Sequence, residues 1–157
     1  MAIDVGTQAP DFTLIDQENK PHTLNSHKGR SVVLAFFPAA FSGVCDTEMC
    51  NFRDSLAELN SMDADVIGVS VDSRFANKEF ATKHNLQFPV LSDYKREVIK
   101  QYDVVTENFA GMDGYTAATR SVFVLDKNGT LQYAWEAPKP PILPDYDEVK
   151  RAVKGLV

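Results

Sequence analysis

The chain has 157 residues, of which 44% are hydrophobic and 24% charged, and its formal net charge is -6 at pH 7. This length and composition suit one globular domain with a buried core, so we predict a single domain over residues 1–157. The acidic balance disfavours nucleic acid or anionic membrane as a partner, and the absence of a membrane-length apolar run and of signal-peptide features predicts a cytoplasmic protein.

The first predicted element is a β-hairpin at the edge of the fold, where residues 11–24 hold two short extended segments around a polar turn. Residues 31–37 (SVVLAFF) form an almost unbroken apolar run, which is typical of a strand buried on both faces. Pro38 ends this strand. A helix is predicted from Cys45 to about Ser61, because apolar side chains recur there at steps of four and three.

Strands and helices alternate through the middle of the chain. Strands are predicted at residues 64–72 and 88–93, which are rich in Val, Ile, Leu and Phe. Helices are predicted at residues 74–84 and 96–102, with Ser73 as the cap of the first. This alternation implies parallel strand pairing in an α/β sheet.

The next part of the chain predicts a loop and a second hairpin. Residues 104–119 contain two glycines and show no clean period, so we predict a long loop, and such a loop often binds a ligand. Strands at residues 121–126 and 131–137 flank Asn128-Gly129, which marks a β-hairpin turn. Antiparallel strands therefore close the predicted sheet.

The C-terminal part adds a linker and a helix. Residues 138–144 (PKPPILP) predict an extended segment, and residues 145–156 predict an amphipathic helix with Asp145 as its cap. The predicted fold class is therefore α/β, with a central mixed β-sheet flanked by helices and an N-terminal β-hairpin.

Both cysteines of the chain, Cys45 and Cys50, lie where the buried strand gives way to the helix. Unpaired backbone N–H groups and the helix dipole stabilise an anion there, so we expect Cys45 to ionise more readily than a free thiol. Asp46 opposes this ionisation, so the fold must supply a cation from elsewhere. Two neighbouring cysteines in a cytoplasmic chain indicate redox chemistry or metal binding rather than a structural disulfide.

The residues before Cys45 resemble the active-site loop of the peroxiredoxins. Residues 38–45 (PAAFSGVC) match its pattern of a proline, three residues, Ser or Thr, two residues and the peroxide-attacking cysteine. A second cysteine five residues on resembles the bacterioferritin-comigratory-protein branch, whereas the run FFPAAFSGVC resembles the one-cysteine alkyl-hydroperoxide-reductase-E branch. Asp46 departs from the pattern, since the family often has Pro or Thr there. The resemblance covers nearly the whole chain and implies a thioredoxin-like fold.

The resemblance also implies roles for individual residues. Cys45 attacks the peroxide, and Pro38 shields it from overoxidation. Ser42 contacts the peroxide oxygens, although it also suits the helix N-cap. Glu48 hydrogen-bonds an arginine network, where the alternative is a partner for the helix dipole. Arg120 reaches over the thiolate as the missing cation, where the alternative is a solvated strand end.

Cys50 has two interpretations. Five residues along a helix place the Cα atoms of the two cysteines roughly 8 to 9 Å apart, which exceeds the reach of a disulfide. If Cys50 resolves the oxidised Cys45, the start of the helix must unwind, as the resembling two-cysteine enzymes do. If Cys50 only packs, the protein is a one-cysteine type that an external thiol recycles.

The sequence therefore predicts a peroxidase that reduces hydrogen peroxide and organic hydroperoxides without a metal or organic cofactor. A thioredoxin-like donor is the expected reductant. The resemblance also implies a homodimer, and Phe41 and Phe109 are loop aromatics that suit an interface.

Two other functions compete with this one. A copper-handling module of thioredoxin-like fold needs a further ligand, and a thiol–disulfide oxidoreductase normally shows Cys-x-x-Cys, which is absent. The three histidines make no metal pair by spacing and are interpreted as surface residues: His22, His27 and His84. Arg53 is expected to support the arginine network through Glu48.

Overall fold

The computed structural model, which describes residues 3–157, is built around a seven-stranded mixed β-sheet flanked by helices. Short 3-10 segments at Leu24–His27 and Phe109–Gly111 lie between the regular elements. In chain order the strands and helices are β1 (Thr13–Ile15), β2 (Pro21–Thr23), β3 (Ser31–Phe36), α1 (Gly43–Ser61), β4 (Ala64–Ser70), α2 (Arg74–Lys83), β5 (Val90–Ser92), α3 (Glu97–Gln101), β6 (Val105–Thr106), β7 (Ala117–Ala118), β8 (Ser121–Leu125), β9 (Leu131–Glu136) and α4 (Tyr146–Lys154).

The sheet has the strand order β2-β1-β5-β4-β3-β8-β9. Strands β3, β4 and β5 pair in parallel, because the helices α1 and α2 return the chain to the same edge between them. The hairpins β1–β2 and β8–β9 add antiparallel strands on the two sides. The predicted mixed α/β sheet, with an N-terminal hairpin and a closing antiparallel hairpin, is confirmed.

Strand β3 lies in the middle of the sheet, and all six of its residues are buried. Alternate side chains enter two separate cores, because successive residues of a strand point to opposite faces. Leu34 and Phe36 pack in the core beneath α3, whereas Val33 and Ala35 pack against α1 with Cys45. The apolar face of α1 thus places the first cysteine in the buried core.

Helix boundaries follow the caps expected from the sequence. The Ser73 hydroxyl accepts a hydrogen bond from the Ala76 N–H at the start of α2, and the Asp145 carboxylate accepts one from the Glu148 N–H at the start of α4. Among the described residues, no helix combines the length and apolar character that crossing a membrane requires.

The predicted long loop at residues 104–119 is partly wrong, because it contains a small β-ribbon. Strands β6 and β7 pair antiparallel, with Val105 opposite Ala118 and Thr106 opposite Ala117. The hydroxyls of Thr106 and Thr119 lie 2.7 Å apart and extend this pairing by one bond. Two-residue strands are too short to show a period of two, so the sequence pattern does not reveal them.

Candidate active site

Cys45 is the third residue of α1, and its side chain is completely buried. The loop before it is held from outside, since the Ala40 N–H donates to Asp72 Oδ2 at 2.9 Å. Phe41 adopts a φ of 67°, which is unusual for an aromatic residue and marks a constrained turn. Asp72 lies two residues beyond the end of β4, and the sequence offered no signal that this carboxylate would hold the loop.

The Arg120 guanidinium lies directly beside the Cys45 thiol and is only 2% exposed. Its Nη2 donates to Cys45 Sγ at 3.3 Å and its Nη1 to Glu48 Oε1 at 2.8 Å. Its Nε donates to the backbone oxygen of Pro140 at 3.2 Å, so the extended segment after β9 also holds the guanidinium in place. The alternative of a solvated strand end for Arg120 is therefore wrong.

Burial sets the acid–base behaviour of the two acidic groups around Arg120. Burial raises the pKa of Glu48 to about 7, although the charge and hydrogen bond of Arg120 lower it. Burial also raises the pKa of the Cys45 thiol, and the Arg120 charge, the Ser42 hydroxyl and the backbone at Ala39 offset this only in part. The expectation that Cys45 ionises more readily than a free thiol is wrong, because the effect of burial on its pKa outweighs these opposing contributions.

Ser42 occupies the N-cap position of α1 with an extended backbone, but its side chain makes no capping hydrogen bond. Its hydroxyl oxygen is buried and has no hydrogen-bond partner of good geometry in the described part of the chain, and the same holds for Glu48 Oε2. The Ser42 hydroxyl, which acts on the Cys45 thiol, therefore has hydrogen-bonding capacity left for a small polar ligand. Within residues 3–157, the Ser42 side chain does not form the capping hydrogen bond expected from the sequence.

A cavity of about 260 Å³ opens beside the arginine. Its lining includes Pro38 and Arg120, together with residues of the segment after β9 and of the loop after β6. Phe109 is one of these lining residues and is half-buried, with packing against the core. The cavity therefore reaches the arginine that contacts the buried thiol, although Cys45 itself does not line it.

Cys50 lies two turns of α1 from the loop and is half-buried. Both cysteines are free thiols, and α1 runs unbroken through them, so a bond between them requires the helix to open. Cys50 Sγ lies 3.5 Å from His84 Nδ1, and His84 Nε2 lies 3.0 Å from Asp46 Oδ2. The Asp46 carboxylate, expected from the sequence only to oppose the ionisation of Cys45, therefore has a partner of its own.

The interpretation of the histidines as surface residues is wrong. All three are half-buried, and one ring nitrogen of each pairs with an aspartate: His22 with Asp16, His27 with Asp65 and His84 with Asp46. Their Asp partners are distant in sequence or without helical spacing, so no sequence motif predicts these His–Asp pairs. Within residues 3–157 no cluster of three or more His, Cys, Asp or Glu side chains is arranged to hold a metal ion.

Arg53 also departs from its expected place. Its Nε donates to Asp54 Oδ1 at 2.9 Å and its Nη1 to the backbone oxygen of His84 at 2.8 Å. The predicted link from Arg53 through Glu48 is therefore wrong, and Glu48 pairs with Arg120 instead. Arg53 belongs to the surroundings of Cys50.

The structure combines a mixed β-sheet, a helix that carries a buried cysteine after a central strand, and an arginine in contact with the cysteine sulfur. This combination defines a thioredoxin-like protein that carries out thiol chemistry. Residues 5–134 match the model of the AhpC/TSA family, and the chain belongs to this family. The resemblance to peroxiredoxins noted in the sequence is confirmed.

Individual relatives point to the same family. The chain is 37% identical over 141 residues to peroxiredoxin Bcp of Bacillus subtilis, covering 88% of both chains. It is 39% identical over 133 residues to the chloroplastic peroxiredoxin Q of Oryza sativa subsp. japonica, covering 85% of this chain but only 59% of that protein. The chain thus spans about three fifths of the length of this plant relative.

Solved structures share the fold over almost the whole chain. A structure of the Xanthomonas campestris bacterioferritin comigratory protein, described for its alkyl peroxide reduction activity, superposes with a TM-score of 0.81 and 28% identity. The match covers 92% of this chain and 90% of that one. The thioredoxin-like fold predicted from the sequence is confirmed.

Proposed function

We propose that this protein is a thiol-dependent peroxidase that reduces hydrogen peroxide and organic hydroperoxides, with Cys45 as the attacking nucleophile. The observation that carries the proposal is the 3.3 Å contact between Cys45 Sγ and Arg120 Nη2 in a fully buried setting at a helix start. A guanidinium stays charged and offers fixed donors, so it stabilises both a thiolate and the oxygen that leaves it. The activity of the Xanthomonas relative supports the same reaction class.

The first step is a displacement at oxygen. The Cys45 thiolate attacks the distal oxygen of the peroxide, so that an S–O bond forms as the O–O bond breaks. Cys45 becomes a sulfenic acid, and the leaving hydroxide or alkoxide takes a proton to become water or an alcohol. Arg120, the backbone N–H groups of the first turn of α1 and the unpartnered Ser42 hydroxyl stabilise the negative charge on the leaving oxygen.

The surrounding residues have supporting roles in this proposal. Glu48 holds the Arg120 guanidinium in place through a 2.8 Å ion pair. Pro38 lines the cavity beside Arg120, and the resemblance to the peroxiredoxin loop gives it the role of protecting the sulfur from further oxidation. The burial of Cys45 has a chemical use, because a thiolate of raised pKa is intrinsically the stronger nucleophile.

Cys50 then resolves the sulfenic acid, and a thioredoxin-like donor reduces the resulting disulfide. The names of the relatives favour this two-cysteine cycle over the one-cysteine alternative, because they belong to the Bcp and Q proteins rather than to the one-cysteine branch. The cytoplasm remains the proposed location.

A homodimer completes the proposal. Phe41 is 44% exposed in the loop before α1, where an apolar partner would cover it, whereas Phe109 is half-buried and offers less surface. Sedimentation of the reduced protein at micromolar concentration is expected to give a dimer, and a monomer would contradict this part of the proposal.

Replacement of the nucleophile tests the central claim. Cys45→Ser should abolish peroxide reduction, because a hydroxyl is far less acidic than a thiol. Cys50→Ser is the matched control, since it removes a thiol from the same helix and should keep one turnover of peroxide. Peroxide consumption by the Cys45→Ser protein at the wild-type rate would overturn the proposal.

A further inference from the structure

Cys50, His84 and Asp46 form a cluster that the reaction at Cys45 does not use. Asp46 and Cys50 are four residues apart and therefore lie on one face of α1. His84, the residue that ends α2, faces both of them. Its Nδ1 lies 3.5 Å from Cys50 Sγ and its Nε2 lies 3.0 Å from Asp46 Oδ2. The side chains of His84 and Asp46 are only 16% and 22% exposed, so solvent does not dominate these contacts.

The aspartate determines which nitrogen of His84 carries the proton. An ionised carboxylate only accepts hydrogen bonds, so the neutral imidazole must place its proton on Nε2, toward Asp46. Nδ1 is then a bare acceptor that faces Cys50 Sγ. The contact between them must be a hydrogen bond from the thiol to Nδ1, which is the geometry of a proton transfer.

Arg53 provides a second observation about the same thiol. The pKa of Arg53 is raised by its hydrogen bond to Asp54 and, next, by the charge of Cys50. Its Nη1 also donates to the backbone oxygen of His84. A cation therefore lies within electrostatic reach of a Cys50 thiolate and ties the end of α2 to α1.

We propose that His84 is the base that takes the proton of Cys50, and that Asp46 is the positioning residue that orients it. This inference rests on the proposed resolving role of Cys50. His84 would be a catalytic residue for the second step of the cycle, because it touches the sulfur that attacks. The arrangement gives the resolving thiol its own base, separate from the arginine that serves Cys45.

The chemistry balances without any further reactant. His84 Nδ1 takes the proton of Cys50 while α1 is folded, which leaves a thiolate and an imidazolium. After the helix start opens, the Cys50 thiolate attacks the sulfur of the Cys45 sulfenic acid, so that an S–S bond forms as the S–O bond breaks. The hydroxide that leaves takes up a proton, His84 releases its own to solvent, and the net products are one disulfide and one water.

The pH dependence of this cluster involves groups from two helices. Asp46, Cys50 and Arg53 face His84 from α1, and Lys83 precedes it on α2 with its Nζ 5.6 Å from the ring centre of Phe41. The edge of the Phe80 ring packs on the imidazole, with centroids 5.1 Å apart. Asp46 and Arg53 therefore contact His84 directly, whereas Lys83 is its neighbour in the chain.

Alkylation of Cys50 tests the inference directly. In a Cys45→Ser background Cys50 is the sole thiol, and its reaction with iodoacetamide can be followed by mass spectrometry from pH 5.5 to 9. An ordinary thiol is a few per cent thiolate at pH 7, so complete proton transfer can raise the rate by roughly 30-fold at most. We expect His84→Asn to slow alkylation about tenfold at pH 7. The rates should converge near pH 9, where the thiol ionises unaided.

The shape of this pH profile separates proton transfer from a change in exposure. A loss of access to Cys50 would lower the rate by the same factor at every pH, and that result would overturn the inference. His27→Asn is the matched control, because His27 is also half-buried and pairs with an aspartate, but its partner is Asp65 rather than Asp46. His84→Gln serves as the second variant if His84→Asn does not fold. Asp46→Asn should move the profile toward that of His84→Asn, since its amide no longer fixes the tautomer.

Two further outcomes distinguish this inference from the proposed function. A Cys45–Cys50 disulfide in oxidised wild-type protein, together with alkylation that does not depend on His84, would overturn the inference and leave the peroxidase cycle standing. Alkylation that depends on His84, with no disulfide after peroxide treatment, would overturn the resolving role on which the inference rests.

Discussion

Glu48 and Arg120 form an ion pair with 2.8 Å between Oε1 and Nη1, and their side chains are 0% and 2% exposed. Removing either partner from such a buried pair leaves an uncompensated polar group, which costs roughly 3–5 kcal/mol when the remaining group is charged. The same guanidinium also donates to Cys45 Sγ. The carboxylate and the thiolate therefore compete for one positive charge.

This competition predicts how activity responds to pH. Burial raises the pKa of Cys45, so the thiolate fraction and the rate of Cys45 oxidation should rise with pH through the neutral range. In Glu48→Gln the neutral amide leaves the Arg120 charge to the thiolate, so we expect the profile to move about one unit toward lower pH. Stopped-flow oxidation with hydrogen peroxide at a series of pH values measures this shift.

The control for this experiment is Glu58→Gln, which removes a carboxylate that is 58% exposed on the same helix and pairs with Lys150. Its profile should coincide with that of the wild type. Coincident profiles for Glu48→Gln and the wild type would show that Glu48 does not compete for Arg120.

Glu48 also makes stability depend on pH. Its pKa is raised from 4.5 to about 7, so between these values the native protein holds a proton that the unfolded chain has lost. The free energy of unfolding must therefore fall as pH rises through this window, by about 3 kcal/mol at 1.36 kcal/mol for each unit. Urea unfolding at pH 5 and pH 8 should show this loss in the wild type and a smaller one in Glu48→Gln. An equal loss in both proteins would contradict the assignment to Glu48.

Arg120→Lys should slow Cys45 oxidation roughly 10²-fold, because a compact ammonium cannot make the three contacts of the guanidinium with sulfur, carboxylate and the Pro140 carbonyl. Arg30→Lys is the control, since Arg30 pairs with Asp63 and Asp65 at the surface. If Cys45 is oxidised as fast in the Arg120→Lys protein as in this control, Arg120 has no catalytic role at the site.

Oxidation should open the start of α1. With one equivalent of peroxide, we expect a Cys45–Cys50 disulfide and loss of amide-exchange protection from Cys45 to about Leu56, while the central strands stay protected. Cys50→Ser should keep the first turnover, accumulate sulfenic acid and overoxidise more readily. Wild-type protein without this disulfide, together with a Cys50→Ser variant that turns over as fast with a thioredoxin-like donor, would indicate a one-cysteine enzyme.

The amino-acid sequence by itself determined most of the architecture and the choice of Cys45 as the proposed nucleophile. Buried strands such as β3 are continuous apolar runs, α1 and α2 have clear helical periods, and Asn128-Gly129 marks a hairpin turn. These are local signals, because each depends on neighbours within a few residues. The loop motif before Cys45 is local in the same sense, which is why the family could be named from it.

Only the tertiary structure decided what surrounds each cysteine. Arg120 is 75 residues from Cys45 and His84 is 34 residues from Cys50, so these contacts depend on how the sheet and helices pack. The raised pKa of Cys45 has the same origin, because the loss of solvent around a thiol is a property of the folded core rather than of the helix start that carries it. Local sequence can place a thiol at the start of a helix, but its proton is governed by groups that folding brings from elsewhere in the chain.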